Sequence, residues 1–138
     1  MTAVERATVA DPSPYARWAT WSGIALYFLC LFWGAAQVAF PGNIRLYWLF
    51  AFGCATSSIC WIRYDALARG KPILPVLQLI GFFLWPLAAV IYLISRSGWR
   101  GLLLAIAHGF GMYLLTCLAF YVTFYGLHFA GLLHDHYY

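Results

Sequence analysis

Residues 81–101 read GFFLWPLAAVIYLISRSGWRG. Trp85-Pro86 stands in the middle of an apolar stretch that ends abruptly in Ser-Arg-Ser-Gly-Trp-Arg. Inside a helix in water this proline would cost ~3 kcal/mol, because it has no N–H and its ring meets the preceding turn. Membrane helices tolerate it, since neighbouring helices can satisfy the freed carbonyl. Arg96 and Arg100 then form a basic shelf of the kind that sits against lipid phosphates or an acidic partner surface. The stretch therefore predicts a transmembrane helix over 73–95, kinked at Pro86, with a basic juxtamembrane turn.

Composition extends this reading to the whole chain. Of 138 residues, 64% are apolar and only 9% charged, against about 25% charged in a soluble domain. A soluble fold could not cover its surface with so few charges. The net charge of +4 comes from Lys and Arg scattered between apolar runs, as membrane flanks are. No basic stretch is long enough to follow a phosphate backbone, so nucleic acid is excluded as a partner.

Four apolar runs, at about 18–40, 44–62, 73–95 and 101–130, predict an all-α integral membrane protein. Its four transmembrane helices would form a compact bundle, and residues 1–138 a single membrane domain. A run of 23 residues reaches ~34 Å as a helix, enough for a ~30 Å hydrocarbon core. Asp11-Pro12-Ser13-Pro14 argues for a non-helical polar arm over 1–16. Gly34-Ala35-Ala36 resembles a signal-peptidase site, but we expect the first run to be retained as a span. In the second run, Asp65 and Arg69 stand four apart with the acid first, the favourable helical order. Gly70 and Pro72 then stop that helix a turn or two beyond the lipid. The fourth run, at ~45 Å, must tilt, project or break. Residues 131–138 form a tail without Lys or Arg.

With four full spans, Arg6, Arg17, Arg63, Arg69 and Lys71 share one side, and Arg45, Arg96 and Arg100 the other. Five against three favours a cytoplasmic N-terminus in a bacterial inner membrane. If 73–95 instead dips in and returns, hinged near Pro86, the division becomes seven against one. That arrangement needs a backbone break at membrane depth buried in protein. Length and hydropathy favour the full span.

Few residues carry candidate chemistry. Gly101, Ala105 and Gly109 repeat every four residues, and Gly53 and Ser57 start a second such stripe. Small residues at this spacing let helix backbones approach in lipid, within one bundle or between subunits. His108 is the only histidine well inside a run, which makes it a candidate cofactor ligand or proton relay. A haem held by two histidines of one chain is excluded, because the first three runs contain none. His134 and His136, with His128 and Asp135, are candidate ligands for a loosely held metal, or simply a polar tail. Arg63, Arg69, Lys71, Arg96 and Arg100 are candidate contacts to lipid headgroups or a partner. Cys30, Cys54, Cys60 and Cys117 lie singly in apolar runs and read as small buried residues. No buried carboxylate and no catalytic motif is present, which argues against an enzyme or a proton-coupled exporter.

The sequence thus predicts a small non-catalytic membrane protein, an accessory or scaffold subunit packed against other membrane polypeptides or copies of itself. No cofactor is required by it. A homo-oligomeric channel is the first alternative, and would need Gln37, Gln78, 56–58 and His108 to converge on one wet path. A haem or metal protein using His108 is the second.

Overall fold

The computed structural model describes residues 14–71 and 73–132. Five helices follow in order: α1 Pro14–Ala39, α2 Ile44–Ala68, α3 Pro75–Phe83, α4 Trp85–Ser97 and α5 Trp99–Phe129. The polar arm expected over 1–16 gives way to helix at residue 14. Pro14 takes the first helical position, where a missing N–H costs nothing.

Three long helices make the frame. Asn43 caps α2, its side-chain oxygen accepting from the backbone N–H of Arg45 at 3.1 Å and Leu46 at 3.2 Å. Gly70 turns the chain after α2 with φ +68°, a conformation that glycine adopts without a Cβ penalty. α2 runs antiparallel to α1. Trp18 meets Tyr64 at 6.2 Å between ring centroids near one end, and Trp33 meets Tyr47 at 5.5 Å near the other. α5 runs parallel to α1: Tyr27 bonds His108, and the Thr116 hydroxyl donates to the Cys30 carbonyl at 3.2 Å. Further along, Gly34 is pressed onto α5. A Cβ there would strike the Thr116 carbonyl and stand 3.1 Å from the Phe120 nitrogen. α5 is continuous over its 31 residues, and none of its glycines breaks it.

The segment 73–95 is not one kinked span. It forms two helices, of 9 and 13 residues, that separate at Leu84 (φ −111°, ψ 36°). Pro86 sits in the first turn of α4 and leaves the Phe82 carbonyl without its usual donor. The two helices then fold back on each other. A Cβ on Gly81 would lie 3.3 Å from that of Ala88 and 3.0 Å from Ile59 Cδ1, whereas seven residues along one helix span ~10 Å. Ile73, before α3, and Ser95 and Arg96, near the end of α4, line the same cleft. The hairpin thus starts and finishes beside the C-terminal end of α2. Its arms reach ~13 and ~19 Å, short of a ~30 Å hydrocarbon core. The chain builds three long helices and a short helical hairpin.

Gly98 then reverses the chain into α5 with φ +56° and ψ −132°, a region open essentially to glycine alone. Gly101 follows so close to α4 that a Cβ would overlap the Leu93 carbonyl.

This topology gathers charge. Arg17, Arg63, Arg69, Lys71, Arg96 and Arg100 all lie toward one end of the molecule, hereafter the basic end. Among the described residues only Arg45 lies at the other. Two helices, Pro14–Ala39 and Trp99–Phe129, are long and apolar enough to cross a membrane. Only 11% and 0% of their most apolar windows is buried within the chain. Phe28, Phe32, Phe110, Leu118 and Val122 are each more than half exposed on them.

Candidate functional site

Two concavities flank the hairpin. The larger is a cavity of about 440 Å³ enclosed by α1, α2, α4 and α5, within the range of small-molecule sites. Its wall is mainly apolar and aromatic: Leu26, Trp61, Trp85, Pro86, Val90 and Met112 contribute. The break at Leu84 places Trp85 and Pro86 against it, so the element that ends the third apolar run also shapes the cavity. His108, Gly109 and Tyr113 line it and are exposed, which makes α5 the side on which it opens.

The polar groups on this wall are few. His108 shares a hydrogen bond with the Tyr27 hydroxyl through Nδ1. With Tyr27 donating, the imidazole proton lies on Nε2, and that nitrogen becomes a donor. Thr116 is occupied by the carbonyls of Met112 and Cys30, at 2.9 and 3.2 Å. Ser58 differs. It is 1% exposed, lines the cavity, and its hydroxyl has no hydrogen-bond partner among the described residues. A helical serine ordinarily bonds back to the carbonyl four residues earlier, as Thr56 does to Phe52 at 2.8 Å. An unpaired buried hydroxyl costs about 1–3 kcal/mol, so Ser58 is a donor held ready without an acceptor.

The second concavity is a cleft of about 360 Å³ at the basic end, lined by Ala66, Arg69, Lys71, Ile73, Tyr92, Ser95 and Arg96. One carboxylate organises it. Asp65, 16% exposed, accepts from Arg69 Nε at 3.0 Å and Nη2 at 3.5 Å and from the Tyr92 hydroxyl at 2.5 Å, and forms an ion pair with Arg96 Nη1 at 3.3 Å. Tyr92 in turn meets Trp61 edge to face at 5.9 Å. The pair of Asp65 with Arg69 was legible from spacing. Arg96 and Tyr92 come from 27 or more residues away and join only because the hairpin returns.

The structure separates the sequence candidates. Gly101 makes the α4–α5 contact, Ala105 and Gly109 face the cavity, and Gly53 touches Leu29 of α1. Ser57 is half-buried on α2. Gly101 and Gly53 are thus used in packing within the chain, whereas a Cβ on Gly109 would meet nothing within 4 Å. Gly34, a close approach of α1 to α5 at Thr116 and Ala119, was missed; the clue was the run of small residues Gly34-Ala35-Ala36. Arg69, Lys71 and Arg96 share the cleft, while Arg63 and Arg100 do not line it. Trp61 turns into the cavity wall. His108 reaches the cavity. His134 and His136 lie outside the described residues. No group of three or more His, Cys, Asp or Glu able to hold a metal occurs among the described residues.

The polar groups expected to line a channel are spread over different parts of the single chain. Gln78 donates to the Ile73 carbonyl at 2.8 Å, Thr56 bonds its own helix, and Gln37 lines a separate pocket near Pro41. Only Ser58 and His108 of that set meet. No protein-family model matches the chain, and neither a curated protein nor a solved structure matches it.

Proposed function

We propose that the chain is a non-catalytic integral membrane protein that crosses the bilayer three times and binds a membrane-soluble ligand in the cavity beside the hairpin. The ligand is mostly apolar and carries a hydrogen-bond-accepting oxygen. The observation that carries this reading is Ser58, a buried donor without an acceptor on the wall of an aromatic cavity. Passive packing as a scaffold needs neither the cavity nor the unpaired hydroxyl. Gly101 and Gly53 pack inside the chain and do not by themselves call for a subunit interface.

Trp61 and Trp85 both line the cavity, so binding is readable by their fluorescence. A short-chain benzoquinone, which quenches tryptophan and carries carbonyl acceptors, is the probe. Titrated into the detergent-solubilised protein, it quenches saturably. Ser58→Ala weakens it about five- to tenfold, the worth of one hydrogen bond, while leaving the ligand-free protein as stable or up to about 1 kcal/mol more stable. Quenching that stays linear in probe and equal in the variant sinks the reading.

Orientation follows from charge. With α1, α2 and α5 as spans, the six cations of the basic end face the cytoplasm and Arg45 faces away. This keeps the start of α1 cytoplasmic and moves the end of α5 to the opposite side. Single cysteines introduced at Ser97 and at Leu132, in a background lacking the four native ones, label from opposite faces of sealed vesicles. Ser97 labels only from the cytoplasmic face, together with Lys71→Cys. Labelling of Ser97→Cys and Lys71→Cys from opposite faces restores the full span over 73–95.

A further inference from the structure

We propose that the cleft at the basic end is a binding site for a phosphate-bearing anion, specifically the headgroup of an anionic phospholipid. This goes beyond the ligand cavity and rests on different residues. Arg69, Lys71 and Arg96 line the cleft, and Asp65 is the acid bonded to its two arginines. The cleft and its acid therefore hold a net charge of +2. Asp65 does not merely neutralise the arginines. It accepts from Nε and Nη2 of Arg69 and pairs with one Nη of Arg96, which draws both side chains to the cleft and leaves Nη1 of Arg69 and further N–H groups of Arg96 for a second acceptor. Arginine forks held in this way match the geometry of phosphate oxygens. Lys71, on the turn between α2 and α3, adds a third cation, and Ser95 lines the same cleft.

The surroundings decide the source of the phosphate. Ile73 lines the cleft, and from it α3 descends with Leu74, Val76, Leu77 and Ile80 each more than half exposed. An acyl chain attached to a phosphate in the cleft has an apolar track to follow, which a free phosphate would leave unused. The net positive charge selects against a choline headgroup, whose own cation would face three others. Basic pockets between helices on the cytoplasmic side of a membrane are suited to this chemistry.

The test uses the full chain in a mild neutral detergent. Its thermal unfolding is followed while dihexanoyl phosphatidylglycerol, dihexanoyl phosphatidylcholine or glycerol phosphate is added. The expected result is a saturable rise in midpoint with phosphatidylglycerol and none with the other two. Lys71→Gln, a turn residue whose replacement leaves the Asp65 contacts in place, weakens the phosphatidylglycerol response about fivefold, as one cation near a headgroup is worth about 1 kcal/mol. Arg96→Gln abolishes it. Should Arg96→Gln fail to fold, the Lys71→Gln titration alone decides. An equal response to both lipids, or one unchanged in Lys71→Gln, overturns the site. A rise with glycerol phosphate matching that with phosphatidylglycerol overturns the lipid as the source. The benzoquinone titration is unaffected by Lys71→Gln, so the two sites fail or stand separately.

Discussion

Gly101→Ala lowers the unfolding free energy of the solubilised protein by about 3 kcal/mol, at the upper end of overpacking costs. The added methyl would overlap the backbone carbonyl of Leu93, and a backbone cannot rotate aside as a side chain can. Relief requires α5 to move off α4, which also loosens the wall formed by Leu93 and Ala105. Gly109→Ala is the control. It lies two turns further along the same stripe, and a Cβ there meets nothing within 4 Å. It is expected to be neutral or to stabilise by up to about 1 kcal/mol, the helix-propensity gain of alanine over glycine. Chemical or thermal unfolding of the three proteins side by side decides the matter. Equal losses at both positions would mean that the whole stripe packs uniformly, as spacing alone suggests, and that the hairpin does not lie where it is described.

The second large effect is expected at Asp65. Replacing it by asparagine removes the charge shared by Arg69 and Arg96 and weakens the acceptor for Tyr92. The carboxylate is 16% exposed, so the loss falls between the values for surface and buried pairs, at about 2–3 kcal/mol. Tyr92→Phe deletes the hydroxyl that donates to Asp65 and should cost about 1 kcal/mol. The comparison reads topology as well as energy. Were 73–95 a full span, Arg96 would stand on the far side of the membrane from Asp65. Asp65→Asn would then remove only the i,i+4 pair with Arg69, worth about 0.3–0.5 kcal/mol. A loss that small refutes the hairpin.

Much of the architecture could be read from residues in order. The apolar runs at 18–40, 44–62 and 101–130 became α1, α2 and α5 with their ends shifted by a few residues, apart from the C-terminal extension of α2. That extension was also legible, from Asp65, Arg69 and the glycine stop at Gly70. These features are local: helix length, capping and i,i+4 pairing depend on neighbours within a turn or two. The cavity was only hinted at. His108 was singled out because an ionisable group within an apolar run is rare, but Ser58 looked like any helical hydroxyl until its missing partner was visible.

The third run is where order along the chain and position in space part. Its length fits one span, and Trp85-Pro86 says only that the helix is weakened there. Whether a weakened helix bends or folds back is settled by what each half can touch. Gly81 lets α4 lie against α3 through Ala88, and Asp65 binds Tyr92 and Arg96 as α4 returns. The charge asymmetry of seven against one already leaned toward return, though hydropathy argued the other way. The sequence by itself determined that the chain is helical, apolar and basic at its turns, because those properties belong to single residues and near neighbours. Only the tertiary structure decided that the basic turns share one end, that Arg96 meets Asp65, and that a cavity opens beside Pro86, because each depends on contacts between residues tens of positions apart.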